Sequence, residues 1–244
     1  MLDPRLSVIE KRLSNIGEII AISGGKGGVG KTTVACLLAL FLSKREKRVG
    51  LFDMDFYGPS THVILGIDDV HVEEDRGIIP PQWNGISYMC ISLFTKGNPL
   101  PMRGKDLSNA ILEFLSTTIW KKLDYLILDL PPGTGEVTLE VLRFLKKARF
   151  LLTTTPSKVA KEVLKKEIAI LKGRGIEIIG VIENQKIDKE SQDLCFLDHV
   201  PILGTLPFDE NFEKALGSVD KILATDLYAR AEKLFQDIFF SDGR

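Results

Sequence analysis

Short apolar runs alternate along the chain with longer segments in which apolar residues recur every three or four positions. The short runs are typical of buried strands, and the longer periodic segments are typical of helices. The predicted strands cover residues 19–22, 48–53, 86–93, 125–130, 150–154, 176–182 and about 202–206, and the predicted helices cover 31–42, 107–115, 136–147, 158–173 and 226–240. This alternation predicts an α/β fold, with a doubly wound, mostly parallel sheet flanked by helices.

Two stretches depart from this alternation. Residues 1–17 predict an N-terminal helical lead-in, because apolar residues there share helical spacing, namely Leu6, Ile9, Leu13 and Ile16. Residues 68–106 contain turn signals such as Asn84-Gly85, and we interpret them as an irregular insertion near the functional site. Since no internal repeat or linker composition is present, residues 18–244 are expected to form a single domain.

The most specific motif is a glycine-rich loop between the first predicted strand and the helix that follows it. Residues 25–32 match G-x-x-x-x-G-K-T, a complete phosphate-binding loop. Its glycines let the backbone approach an anion, and its N–H groups point at phosphate oxygens. In this motif Lys31 contacts the β- and γ-phosphates, and the Thr32 hydroxyl binds Mg²⁺. The candidate residues for binding the nucleotide are Gly25, Lys26, Gly27, Gly28, Val29, Gly30, Lys31, Thr32 and Thr33.

Lys26 is a second lysine that an ordinary phosphate loop does not need. A cation beside the phosphates stabilises charge on the transferred phosphoryl group, as an arginine finger does. Supplied by a second subunit, such a lysine would make hydrolysis depend on dimerisation. A solvated lysine in a flexible loop is the other interpretation of the same residue.

Acidic residues follow two of the predicted strands and are candidates for holding magnesium and organising water. Asp53 ends one strand and Asp55 follows it, while Asp129 ends another strand and is followed by Gly133. Ligands bind at the carboxyl ends of parallel strands, and an aspartate closing an apolar strand there is a Walker B pattern. The Gly133 N–H is a candidate sensor of the γ-phosphate. The structural alternative is that each aspartate caps a turn or helix.

Composition and charge narrow the class of protein. The formal net charge is −1 and the pI is about 6.3, which argues against a dominant nucleic-acid footprint. The chain has 3 cysteines, too few for a disulfide framework. Neither a signal core nor a membrane span is visible in the sequence, so we expect a cytoplasmic protein.

Three motifs together resemble those of the Mrp/MinD family of deviant Walker A P-loop ATPases, most closely the Mrp branch. They are residues 23–33 (SGGKGGVGKTT), 53–60 (DMDFYGPS) and 124–136 (DYLILDLPPGTGE), in the order typical of that branch. The motifs VIEN at 181–184 and LPFD at 206–209 also match later motifs of the branch. The resemblance covers about residues 16–215.

The resemblance implies an ATPase that works as a homodimer. We expect slow turnover, because the sequence shows no small-molecule substrate pocket. It assigns Lys26 to the partner subunit's nucleotide and Asp55 to the attacking water, so that Lys26, Lys31 and Asp55 are the candidate catalytic residues. It further implies that Asp53 and Asp129 hold Mg²⁺ through waters. Adenine would contact Asn184 and the backbone near Pro207.

The Mrp branch consists mostly of iron–sulfur cluster carriers whose clusters are held through a C-x-x-C pair, but this chain has no C-x-x-C. In the corresponding segment Cys195 is the candidate iron–sulfur ligand, and an inert or structural thiol is the favoured interpretation. Cys36 and Cys90 lie in apolar runs and are expected to be core residues.

Three functions fit these motifs. The first is an ATPase of the Mrp type linked to iron–sulfur cluster assembly or transfer, with iron–sulfur client or scaffold proteins as partners. The second is a spatial regulator like MinD or ParA with ATP-controlled attachment to membrane or DNA. The third is an adaptor that binds a client without metal. Mixed charge on the helix predicted at 226–240 favours its packing on the sheet over binding a membrane surface.

Overall fold

The computed structural model describes residues 3–68, 70–95, 102, 104–187 and 196–241. The helices are α1 (Arg5–Leu13), α2 (Lys31–Lys44), α3 (Thr61–Leu65), α4 (Ser92–Thr95), α5 (Lys105–Thr117), α6 (Glu136–Phe144), α7 (Lys158–Gly173), α8 (Glu210–Ala215), α9 (Val219–Leu223) and α10 (Asp226–Phe239). The strands are β1 (Ile16–Ser23), β2 (Val49–Asp53), β3 (Glu73–Glu74), β4 (Ile78–Ile79), β5 (Gln82–Trp83), β6 (Ile86–Cys90), β7 (Leu123–Asp129), β8 (Ala148–Thr154), β9 (Ile178–Lys186), β10 (Phe196–Leu197) and β11 (Val200–Pro207).

The sheet confirms the predicted α/β class. Its strand order is β10-β11-β9-β8-β1-β7-β2-β6-β5. The pairs from β11 through β6 are parallel, and only the short outer strands β10 and β5 are antiparallel to their neighbours. Because parallel strands point the same way, the carboxyl ends of β1, β2, β7, β8 and β9 lie along one edge of the sheet.

The core forms on both sides of the central strands. Helix α2 is buried almost all round, from Val34 to Leu42, as expected of a helix enclosed between a sheet and another layer. That other layer includes α10, whose Phe235 ring lies 5.7 Å from the ring of Phe41. Phe240, just after α10, lies 5.9 Å from Phe41. The C-terminal helix therefore packs onto the molecule, as its mixed-charge face predicted.

The structure adds detail at the two irregular stretches. Helix α1 ends at Leu13 and β1 begins at Ile16, so the helical spacing of apolar residues runs three residues past the true helix, into β1. The predicted strand at 86–93 ends at Cys90, and Ser92–Thr95 turns into the short helix α4. Short strands β3, β4 and β5 occupy the region before it. The division of the chain into a lead-in and one domain stays a prediction.

Candidate functional site

The glycine-rich loop occupies the predicted position between β1 and α2. Gly28 and Gly30 have φ values of 77° and 85°, a backbone conformation that side chains disfavour. A Cβ atom on Gly30 would lie 2.0 Å from the Asn184 side-chain nitrogen. The loop therefore needs glycine at position 30 for two separate reasons.

Neighbouring elements hold this loop at several points. A Cβ on Gly25 would lie 2.8 Å from backbone atoms of α7, so the loop rests directly on that helix. The Asn184 side-chain amide, at the end of β9, donates to the Val29 carbonyl at 3.1 Å. The Gly133 N–H donates to the Gly24 carbonyl at 3.2 Å. The structure thus brings Asn184 and Gly133 together with the loop, and their roles at adenine and at the γ-phosphate stay predictions.

The two lysines of the loop differ in environment. Lys31 is 7% exposed, and its ammonium donates to the Lys26 carbonyl at 3.4 Å. Burial lowers the pKa of Lys31, an effect that nearby carboxylates, chiefly that of Asp129, oppose. The Lys26 side chain is exposed, and among the described residues no hydrogen bond or ion pair engages it. Lys31 faces inward to the predicted phosphate position, while Lys26 is free to reach outward.

Two candidate magnesium residues, Asp53 and Asp129, stand side by side. They are directly paired in the register of β2 and β7, and both are buried. Both Asp53 oxygens accept hydrogen bonds from the segment that follows, residues 54–61, which we call the switch segment. Burial raises the pKa of Asp53, and these hydrogen bonds lower it in part.

The Asp129 carboxylate can accept a further hydrogen bond. Its Oδ1 atom is buried and has no hydrogen-bond partner within the described part of the chain. Burial raises its pKa well above the ordinary value, nearby Asp53 raises it further, and the adjacent Thr32 side chain lowers it in part. A buried acceptor without a partner is costly, so a group that binds it is expected. Oxygen donors of this kind fit Mg²⁺, which keeps most of its waters.

The other predicted site residues lie at the same edge of the sheet. Asp55 is half-buried in the switch segment, where its Oδ1 accepts from the N–H groups of Tyr57 at 3.2 Å and Gly58 at 3.0 Å. Pro207 ends β11 and pairs in register with Lys186, two residues beyond Asn184. Thr33 is half-buried in the first turn of α2. Cys195 lies outside the described residues.

Sequence reasoning missed Glu167 on α7. It is 1% exposed, its Oε1 accepts a hydrogen bond from the Ser23 hydroxyl, and its Oε2 has no partner among the described residues. Burial raises the pKa of Glu167, although Ser23 and Lys31 oppose this. The signal was available in the sequence, because Glu167 falls on the buried stripe of α7 together with Leu164 and Ile168. A charged residue at an apolar helical position is informative in itself.

Cysteine and metal-ligand chemistry is sparse in the described residues. Cys36 and Cys90 are both buried. Burial raises the pKa of Cys36 well above its ordinary value and that of Cys90 to about 11, so neither thiol is readily ionised. Within the described ranges, no three His, Cys, Asp or Glu residues are grouped so that they could hold a metal ion. Cys36 and Cys90 are therefore core thiols, as the apolar runs around them predicted.

Comparison with known proteins decides the family. The family model ParA, described as NUBPL iron-transfer P-loop NTPase, matches residues 15–241. The chain belongs to this family. The match confirms the resemblance to the Mrp/MinD ATPases, and the matched residues include the glycine-rich loop.

None of the helices within the described ranges has both the length and the apolar character needed to cross a membrane.

Two relatives carry iron–sulfur names. An iron–sulfur cluster carrier protein of Pseudomonas fragi is 36% identical over 179 residues, covering 72% of this chain and 62% of that protein. A cytosolic Fe-S cluster assembly factor Nubp2 homolog of Anopheles gambiae is 34% identical over 229 residues, covering 84% of this chain and 88% of that protein. The NUBPL-family chain thus spans less than two thirds of the length of the bacterial carrier.

Two solved structures with a similar fold contain bound ADP. A nucleotide-binding protein of Archaeoglobus fulgidus, in complex with ADP and with cobalt found in it, has a TM-score of 0.73 and 30% identity, covering 92% of this chain and 95% of that chain. MinD of Pyrococcus horikoshii, complexed with Mg-ADP, has a TM-score of 0.68 and 22% identity over 91% of this chain and 96% of that one. The second similarity concerns the fold alone.

Proposed function

We propose that this chain binds Mg-ATP at the glycine-rich loop and hydrolyses it slowly as a homodimer. We further propose that this hydrolysis assists iron–sulfur cluster assembly or transfer. The observation that carries the proposal is the loop itself, held by α7, Asn184 and Gly133 beside a buried Asp129 oxygen that has no partner in the described chain. A nucleotide with its metal would complete this arrangement, since it brings phosphate oxygens to the loop and metal-bound water to Asp129.

The loop residues have distinct roles in this proposal. Their backbone N–H groups and the Lys31 ammonium bind the phosphates. The Gly133 N–H, which donates to the Gly24 carbonyl in this structure, would leave that carbonyl to contact the γ-phosphate. Thr32 and Asp129 would hold Mg²⁺, which when bound neutralises charge on the β- and γ-phosphates. Asp53, which the resemblance assigned to Mg²⁺ through water, is assigned here to the switch segment instead, because both of its oxygens accept hydrogen bonds from it. Asp55 orients the attacking water, and Asn184 and the Pro207 backbone contact adenine.

The exposure of Lys26 supports hydrolysis in a dimer. Its ammonium is unengaged by the described residues of its own subunit, although it stands in the loop that surrounds the phosphates. Approach of a second copy would place Lys26 beside the partner's phosphates, where it stabilises charge that develops during transfer. The rate of ATP hydrolysis per subunit would then rise with the fraction of subunits in the dimer.

The iron–sulfur link rests on the relatives' names. Cys36 and Cys90 are buried thiols, so a cluster carried as cargo would use Cys195, ligands from a partner protein, or both. We infer client or scaffold proteins of iron–sulfur assembly as the partners and the cytoplasm as the compartment, as in the Anopheles relative's name. The packing of α10 against Phe41 speaks against a membrane-binding role like that of a spatial regulator.

Lysine substitutions test the ATPase. Lys31→Ala is expected to weaken ATP binding by about tenfold or more, because it removes a buried cation from the phosphate position. Lys26→Ala is expected to change ATP affinity by less than about threefold while lowering kcat by roughly a hundredfold or more. Calorimetric binding and phosphate release measured over a range of protein concentrations separate these effects.

The two lysines serve as matched controls for each other, since both are alanine substitutions in one loop. An equal loss of ATP affinity in both variants would remove the proposed role across the dimer. Turnover per subunit that does not depend on protein concentration would do the same.

Cys195→Ser tests the cluster link. A stoichiometric cluster that wild-type dimers acquire on anaerobic reconstitution with iron and sulfide, and that the serine variant loses, would make Cys195 a cluster ligand. Iron and sulfide content and visible charge-transfer absorption are the measurements. Cys90→Ser, a change at a buried thiol, is the control. If wild-type protein acquires no cluster, the chain alone is no carrier and its partner supplies the ligands.

A further inference from the structure

A chain of buried hydroxyl groups reaches Asp53 from the neighbouring strand. Asp53 Oδ2 accepts the Thr61 hydroxyl at 2.8 Å, and the Thr61 oxygen lies 2.8 Å from the Tyr88 hydroxyl. All three residues are 0% exposed. Tyr88 belongs to β6, which pairs with β2 so that Tyr88 stands opposite Leu51. The chain of hydrogen bonds thus crosses from one strand to the next inside the core.

The direction of each hydrogen bond follows from the chemistry of the groups. A carboxylate oxygen only accepts, so the single hydrogen of the Thr61 hydroxyl points at Asp53. In the contact between the two hydroxyls the Tyr88 O–H must therefore donate and Thr61 must accept. Donation by Tyr88 polarises the Thr61 hydroxyl and strengthens its bond to the carboxylate.

Asp53 ties together both ends of the switch segment. Its Oδ1 accepts the Asp55 N–H at 3.0 Å. Its Oδ2 accepts the N–H groups of Ser60 at 3.0 Å and Thr61 at 3.1 Å. One carboxylate therefore closes a loop whose start carries Asp55. Any rotation of the Asp53 side chain would release both ends of that loop.

We propose that Tyr88 and Thr61 are positioning residues for ATP hydrolysis, because together they orient Asp53 and so fix the switch segment that carries Asp55. The inference rests on the proposed function, in which Asp55 orients the attacking water. Neither Thr61 nor Tyr88 has a hydrogen bond to the glycine-rich loop among those found in the described residues, so both act through Asp53.

Removal of the hydroxyl groups tests the proposal. Tyr88→Phe keeps the ring and removes one donor, so kcat is expected to fall by about three- to tenfold. Thr61→Val keeps the side-chain shape and removes a bond to a charged group, so kcat is expected to fall by about tenfold or more. ATP affinity is expected to change by less than about twofold in both, because the phosphate loop is untouched.

The double variant separates positioning from general loss of packing. If Tyr88 acts through Thr61, Tyr88→Phe made in the Thr61→Val background lowers kcat by no more than about twofold further. Thr61→Ser retains the hydroxyl and is expected to recover most of the rate that Thr61→Val loses. Ile222→Val, in α9, is the control for a buried change elsewhere and is expected to leave kcat unchanged.

Hydrogen exchange in the nucleotide-free protein provides a readout that needs no ATPase activity. The amides of Asp55, Ser60 and Thr61 are expected to exchange faster in Tyr88→Phe than in wild type, while amides of α9 stay unchanged. Unchanged exchange at these amides, or additive losses of kcat in the double variant, would overturn the positioning role. Faster exchange in Tyr88→Phe, together with no ATP turnover by wild-type protein, would support the link from Tyr88 through Asp53 to the switch segment while removing the proposed ATPase.

Discussion

Asp53 and Asp129 are the same residue type at the same place in neighbouring strands, yet their surroundings differ. Asp53 accepts hydrogen bonds from Asp55, Ser60 and Thr61, so both of its oxygens are used. Asp129 keeps a buried oxygen without a partner in the described chain. The Asp53 carboxylate organises backbone N–H groups, and the Asp129 carboxylate has an oxygen that can accept a further hydrogen bond. An apolar strand that ends in aspartate therefore indicates a binding site at the edge of the sheet. The pattern alone does not distinguish an aspartate that holds backbone from one that has an unpaired oxygen.

Asp129→Asn is expected to have the largest effect. Loss of the carboxylate that supports the metal should lower kcat by about a hundredfold or more. Without nucleotide, the same variant should be more stable than wild type at neutral pH, since it removes a charge that is buried beside Asp53. Phosphate release and urea denaturation measure the two effects, and a loss of stability would contradict the contrast with Asp53.

The pH dependence of this variant follows from the raised pKa of Asp129. A carboxyl group whose pKa is raised by folding contributes stability below its ordinary pKa of 3.8, and that contribution is lost as pH rises through the folded value. Wild-type stability without nucleotide is therefore expected to decline as pH rises from that range. Asp129→Asn should decline less, and equal slopes in the two proteins would count against an ionising Asp129.

Asp53→Asn is expected to have the opposite effect on stability. An amide group cannot accept on its nitrogen side, so at least one donor of the switch segment loses its partner in the core. The expected loss is about 2 kcal/mol in the free energy of unfolding. Urea denaturation without nucleotide checks it. If Asp53→Asn were as stabilising as Asp129→Asn, the two aspartates would be equivalent and the comparison would fail.

Much of this architecture was predictable from the apolar pattern. Helix α7 has the bounds that its periodicity indicates, and the strands ending in Asp53 and Asp129 are present with shifts of one or two residues at their bounds. Long helices and buried strands carry strong periodic signals. Short elements such as α3 and β5 were missed, because two to five residues contain less than two turns of helix or no clear alternation.

The candidate site was predictable where one contiguous motif carries the chemistry. The motif at 24–33 identifies the loop and places Lys31 at the start of α2, so local sequence suffices to locate it. Glu167 was missed because its partner, Ser23, lies 144 residues away in the chain. Tyr88 was missed for a similar reason, since its hydroxyl meets Thr61 only when β6 pairs beside β2.

The sequence by itself determined the α/β class, the phosphate loop and the positions of the acidic residues, because these depend on short-range periodicity and on motifs within about ten residues. Only the tertiary structure decided that both Asp53 oxygens accept hydrogen bonds while one Asp129 oxygen has no partner among the described residues. It also decided that Asn184 bonds to the loop, that Glu167 meets Ser23 and that Tyr88 meets Thr61. These facts depend on how distant strands and helices pack, and burial there sets both hydrogen bonding and pKa.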